Sequence, residues 1–282
     1  MANRTVATLL GAGLIALSAA HGLAAQPQAD ATTLPKRVDL VYAVYASGFH
    51  VLDAQAYHLQ QGDRYEIGAG ARTEGFLNWL FSWQGSTSSV GYLKGQTAVP
   101  EKHENWGQYN GSERRILVTY DRTGGVQSVV RDPEPNWEKF FPLPDDAADG
   151  TIDPLSLIAQ MTARIDSGGT CDGSFPVFDG KRRYDLYAVD KGVEELPDNG
   201  YSIYRGTALK CRIDYKMLGG NRREVSDVAK SARNRDIWIA QVIEGGPYIP
   251  VRVQVETSFG PVIGHLIEVQ YGDHIVTLET DS

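Results

Sequence analysis

The chain has 282 residues, a formal net charge of −8, 42% hydrophobic and 10% aromatic residues, 30 glycines and two cysteines. That length can bury a core in one large or two small domains, and the acidic balance argues against nucleic acid and against electrostatic attachment to anionic lipid. The 14 tyrosines and 30 glycines fit a β-rich exported protein, with rings filling pleated surface and glycines serving turns.

The chain opens with "MANRTVATLLGAGLIALSAAHGLAAQPQAD", in which one charge, Arg4, precedes an apolar run from Thr5 to about Ala20. Small residues follow, and Gly22 and Ala24 suit the two specificity positions of a signal peptidase, although Ala20 also qualifies. Residues 1–24 therefore read as a signal peptide. The apolar run falls short of the roughly 20 residues that a membrane span needs. No cysteine stands near the cut, which argues against a lipoprotein anchor. The expected location is the periplasm, with no transmembrane segment after cleavage. Residues 25–36 lack periodicity and read as a flexible tether, and residues 37–282 as a single β-rich domain.

From Arg37 the pattern has period two. "VDLVYAVYASGFHVLDAQAYHLQQGDRYEIGAGART" predicts three strands that reverse at Ser47-Gly48 and Gln61-Gly62-Asp63. Its Gly68–Arg72 stretch lacks the third glycine and following helix of a dinucleotide fingerprint, so it reads as strand with glycines where another backbone passes closely. In "EGFLNWLFSWQG", Phe76, Trp79, Leu80 and Trp83 recur at helical spacing, which predicts a helical turn or irregular loop. "RRILVTYDRTGGVQSVVRD" predicts a hairpin about Thr123-Gly124-Gly125.

"DGTIDPLSLIAQMTARIDSGG" predicts a helix over 154–166. Asp153 is its N-cap, Pro154 its first residue and Gly168-Gly169 its stop, with Leu157, Ile158, Met161 and Ile165 on one stripe. Cys171 follows. In an oxidising compartment the only two cysteines, Cys171 and Cys211, are expected to pair, and a loop of that length stabilises by roughly 4 kcal/mol in the chain-entropy picture. A reactive thiol would need a histidine base, and neither cysteine has one within 50 positions.

"FDGKRRYDL" gathers Asp179, Lys181, Arg182, Arg183 and Asp185, which could serve an anion or an acid–base pair. The plainer reading is a tight turn at Asp179-Gly180, followed by a strand that sends Arg183 and Asp185 to one face and Arg182 and Tyr184 to the other. Strands continue to about Leu218 with breaks at Lys191-Gly192 and Asp198-Asn199-Gly200. Four more follow in "RDIWIAQVIEGGPYIPVRVQVETSFGPVIGHLIEVQYGDHIVTLE". About a dozen strands result, with no fixed-length repeat.

No metal, cofactor or catalytic set is expected. The six histidines show none of the usual metal spacings, no G-x-S-x-G occurs, and Glu101, Glu104 and Asp145-Asp146 read as scattered surface acids.

Taken in order, "VYAVYASGFHVLDAQAYHL", "YEIGAGARTEGFLNWLFSWQGSTSSVG", "DPLSLI" and "VFDGKRRYDL" resemble the proteobacterial exported family catalogued as domain of unknown function 3108, over roughly residues 38–275. The resemblance implies an envelope protein of antiparallel β architecture and transfers no catalytic residue. A looser likeness of architecture joins it to lipoprotein carriers and to β-spiral envelope integrity proteins.

The expected fold is mainly β: one strongly curved antiparallel sheet, β-spiral or open-barrel-like, wrapped around the helix. The expected role is a non-catalytic periplasmic protein that supports envelope integrity by binding a hydrophobic or amphiphilic ligand. Phe76, Trp79, Leu80 and Trp83 are candidate lining residues, or else they simply close the core. A partner-binding scaffold and a hydrolase of an envelope polymer are the alternatives.

Overall fold

Alternation of apolar and polar residues, interrupted by a glycine at most reversals, sets the architecture from Lys36 onward. The computed structural model describes residues 36–73, 82–224 and 230–278. The first seven strands are β1 (Lys36–Ala46), β2 (Phe49–Gln61), β3 (Arg64–Thr73), β4 (Trp83–Lys94), β5 (Thr97–Tyr109), β6 (Ser112–Tyr120) and β7 (Val126–Asp132). After a helix, α1 (Pro154–Asp166), come β8 (Gly173–Phe178), β9 (Arg183–Leu196), β10 (Gly206–Gly219), β11 (Arg233–Gln241), β12 (Tyr248–Thr257), β13 (Gly260–Tyr271) and β14 (His274–Thr277).

These strands form one antiparallel sheet in the order β7-β6-β5-β4-β3-β2-β1-β13-β12-β11-β10-β9-β8, with β14 continuing beside β13. Two meanders are joined through β1 and β13, which pair from Val38 opposite Tyr271 to Ala46 opposite Val262. Register shifts at Val41/Tyr42, Val90/Gly91, Thr119/Tyr120 and Trp238/Ile239 sharpen the twist, so the sheet curls.

Strands β7 and β8 end the path, so the connection between them has to travel from one edge to the other. Helix α1 lies in that connection and crosses the inner face, touching β3, β4, β5, β8 and β12. The edges meet without a ladder. Gly180, in the β8–β9 turn, packs against Ile116 and Val118, and Arg131 Nε donates to the Gly180 carbonyl at 2.7 Å. The sheet is therefore open and not a closed barrel.

Helix α1 begins and ends where local chemistry dictates. Asp153 accepts from the Leu155 and Ser156 amides, and at the other end the Gly169 amide reaches the Arg164 carbonyl at 2.9 Å, with Gly168 at φ +79°. Leu155 and Ala159 pack on Tyr65, Ile67, Leu93 and Ala98, and Leu157 packs on Phe175, Val177 and Ala188. Ile165 rests on Cys171 and Cys211, whose sulfurs stand at bonding distance, 2.10 Å, with Cα atoms 6.3 Å apart. Each fully buried large side chain contributes about 1.5–3 kcal/mol to the packing.

Several expectations need correction. Lys191-Gly192 is a bulge inside the continuous strand β9, where the partner register slips between Leu209 and Cys211, because the hairpin reverses only after Leu196. Strands β4 and β5 escape the sequence pattern: serine, threonine and glycine mask the alternation in β4, and Pro100 with the polar run Glu101–Asn105 masks it in β5. Trp83 opens strand β4 and is not part of a helical turn. Lys36, assigned to the tether, is the first residue of β1. Ile158 leaves the buried stripe and is 42% exposed, facing a groove. Gly68 answers a side chain and not a backbone: the Tyr57 ring lies where its Cβ would be.

Candidate functional site

Between α1 and the inner faces of β1, β2, β3, β12 and β13 lies a cavity of about 340 Å³. That volume falls at the lower end of the ~300–1,000 Å³ typical of small-molecule sites. Alternation on β1 directs Val38, Leu40, Tyr42 and Val44 into it, and β12 adds Ile249, Val253 and Val255. Its depth comes from small residues. Ala54 and Ala56 on β2, Ala69 on β3 and Gly264 on β13 leave room that larger side chains would fill. On the helix side Leu155, Ile158 and Thr162 form the roof.

No lining residue is an acid, a lysine or an arginine. The Tyr42 hydroxyl donates to the Pro250 carbonyl at 2.7 Å, and burial pushes its pKa well above the ordinary tyrosine value. Burial also lowers the pKa of His58 to about 4, so the imidazole is neutral at pH 7. The wall is therefore uncharged as well as apolar. A second cavity of about 260 Å³ shares Val38, His58 and Tyr248 with the first and adds Lys36, Gln60, Asp166 and Gln241. An apolar chamber thus continues into a polar one.

A second constellation lies under α1 at its other end. Ser89, His103, Asp153, Ser156 and Tyr65 are each no more than 1% exposed. Ser89 Oγ stands 2.8 Å from His103 Nδ1 and donates to Asp153 Oδ1 at 2.6 Å. Ser156 donates to Asp153 Oδ2 at 2.5 Å, and Tyr65 donates to Ser156 at 2.7 Å. Asn105 Nδ2 is 2.8 Å from His103 Nε2 and 3.5 Å from the Asp179 carbonyl, so its two amide hydrogens serve both if Nε2 accepts. Donors then run from Asn105 through His103 and Ser89 to the carboxylate. Burial alone would raise the Asp153 pKa, but hydrogen bonds from His103, Ser156 and Ser89 outweigh it and hold it below the ordinary carboxylate value. A serine, a histidine and an aspartate come together here, yet the serine faces the carboxylate directly and no face of the set is open. The arrangement anchors the helix to the sheet.

Of the aromatic candidates, Phe76, Trp79 and Leu80 lie outside the described residues. Trp83 is 37% exposed, lies over Gly85 and lines a different cavity. Cys171 and Cys211 are consumed by each other. Asp179 accepts from the Lys181 and Arg182 amides at 3.0 and 2.6 Å and pairs with the Arg182 guanidinium at 2.7 Å, as a turn clamp does. Arg183 and Asp185 share a face, 2.7 Å apart. Glu101 pairs with Arg64 at 3.0 Å, and Glu104 lies between Lys102 and Arg115, whose hydrogen bonds hold its pKa down.

The groove walls went unread in the sequence. The available signal was the alternation of alanines at Ala54 and Ala56, paired with Ala71 and Ala69, which on a curved sheet under a helix marks missing volume.

The model of a protein family of unknown function, DUF3108, matches residues 41–267, and the chain belongs to that family. No curated protein matches it in sequence. Among solved structures, the chain is similar to a beta-barrel-like protein of domain of unknown function DUF1849 from Brucella abortus, at 12% identity and a TM-score of 0.48, covering 85% of this chain and 98% of that one.

Proposed function

We propose that this member of the family is an exported, non-catalytic envelope protein that holds the hydrocarbon part of an amphiphile between α1 and the β1–β2–β12 wall. The observation that carries this reading is the uncharged cavity of about 340 Å³, walled by aliphatic side chains and deepened by Ala54, Ala56 and Gly264. An apolar cleft of this kind favours a guest by about 25 cal/mol for each Å² of apolar surface removed from water. The polar chamber at Lys36 and Asp166 gives the other end of the guest a hydrated place to sit. Export rests on the leader-like segment Met1–Ala24 and on the compartment that suits a cystine.

Mass spectrometry of an organic extract of the protein, purified natively from a periplasmic fraction, tests the reading. A lipid or fatty acyl species near equimolar ratio is expected. An empty extract, together with no uptake of a fluorescent fatty acid or lysolipid at micromolar concentration, would leave the partner-binding scaffold as the better account.

A further inference from the structure

Away from the apolar groove, the inner face of the sheet carries a second recess. Trp83, Tyr109 and Ser112 stand opposite one another across β4, β5 and β6, and Gly85, Gly107 and Arg114 form the next row on the same face. Trp83 covers Gly85, where an added Cβ would lie 3.1 Å from its ring. Gly107 is left bare, since a Cβ there would meet only the Gln84 carbonyl at 3.9 Å. The result is a slot floored by backbone, with an indole and a phenol as walls, inside a cavity of about 570 Å³.

Cations gather around this slot. Arg114 lines it from β6 and Arg222 from the β10–β11 connection. Arg222 also lies 5.7 Å from the centroid of the Phe140 ring, over which Lys181 Nζ sits at 3.9 Å. Neither arginine has an acidic partner among the described residues, and the nearby Asp179 is already engaged by Arg182 and two backbone amides. The crowding is physically felt: burial, and then the charges of Arg114, Arg182 and Arg222, lower the Lys181 pKa to about 8. In a chain of net charge −8, positive charge that no acid among the described residues offsets is what an anionic ligand would complement.

We propose that this slot binds an anionic group, a phosphate monoester or a carboxylate, carried on a sugar-like ring. Arg114 and Arg222 hold the anion, and the ring lies over Gly107 against Trp83. A guanidinium fork matches both anions in geometry, and an aromatic wall favours the flat apolar face of a ring over a bare ion. The apolar groove plays no part, so this site stands whether or not an amphiphile is found there.

Calorimetric titration of the whole protein at low ionic strength, with glucose 6-phosphate, galacturonate, glucose and inorganic phosphate as probes, tests the assignment. The two ring-borne anions are expected to bind, glucose to fail, and inorganic phosphate to bind about 10-fold more weakly than glucose 6-phosphate. Arg114→Gln with Arg222→Gln should weaken the ring-borne anions by about 10-fold or more, and added salt should do the same. Trp83→Ala should bring glucose 6-phosphate down to the level of inorganic phosphate. Both arginines are exposed, so unchanged denaturation midpoints will show that the variants are folded. Unchanged binding in the double variant, absence of binding by either ring-borne anion, or equal affinity for inorganic phosphate and glucose 6-phosphate would each overturn the proposal.

Discussion

Ser89, in the middle of strand β4, donates a 2.6 Å hydrogen bond to Asp153, the residue that caps helix α1. The same carboxylate oxygen accepts from the Leu155 and Ser156 amides, at 3.1 and 2.9 Å. One side chain therefore both starts the helix and fastens it to the sheet that it crosses. Because α1 roofs the groove, this bond also positions the roof.

Asp153→Ala should destabilise the protein by about 3 kcal/mol, combining a lost cap of about 1 kcal/mol with buried partners left unsatisfied. Urea denaturation measures it. A loss below about 1 kcal/mol would show that the helix is held by its apolar face alone.

Acid should weaken the fold in two windows. Burial lowers the pKa of His58 and of His265 from 6.5 to about 4, so the unfolded chain binds more protons there than the folded one. Their contribution is complete above pH 6.5 and is lost as pH falls toward about 4, up to roughly 3 kcal/mol for each ring. The depressed Asp153 carboxyl acts lower: its contribution is present above the ordinary aspartate pKa and is lost as pH falls through the folded value. Denaturation midpoints across pH, compared with His58→Gln and His265→Gln, should show the first window shrinking while the second persists.

Ala56→Trp should fill the groove from its β2 wall. Uptake of a fluorescent fatty acid should fall by about 10-fold or more, with stability changed by about 1–3 kcal/mol through overpacking. Full uptake by a folded variant would place the binding elsewhere.

Gly180→Ala should cost more than Gly48→Ala, although both glycines have positive φ, +85° and +87°. At Gly48 nothing lies within 4 Å of the new methyl group, so only the conformational cost of about 1–2 kcal/mol applies. At Gly180 the methyl group collides with Ile116 and Val118, adding about 1–3 kcal/mol. Equal thermal midpoints for the two variants would mean that the contact between the sheet's edges is soft.

Replacing Cys171 and Cys211 together by alanine should lower stability by about 4 kcal/mol, for a bridge that spans 40 positions. Thiol labelling of the unfolded, unreduced wild type should find no free thiol.

Local rules made much of this fold legible from the residues alone. The hairpins about Ser47-Gly48 and Thr123-Gly124-Gly125, and the helix from Asp153 to Gly168, rest on periodicity, turn chemistry and capping. All of these act within a few positions of the chain. The pairing of Cys171 with Cys211 was equally plain, because no other thiol competes. Tertiary structure decided the rest. The β1–β13 ladder joins residues more than two hundred positions apart, and only that ladder brings Val44 beside Gly264 to form the groove wall. His103, Ser89 and Asp153 come from two strands and a helix cap, and Arg114 meets Arg222 only because the curled sheet brings its two halves together. Which residues share a face, and what volume lies between them, depends on long-range register, and no local pattern in the chain encodes it.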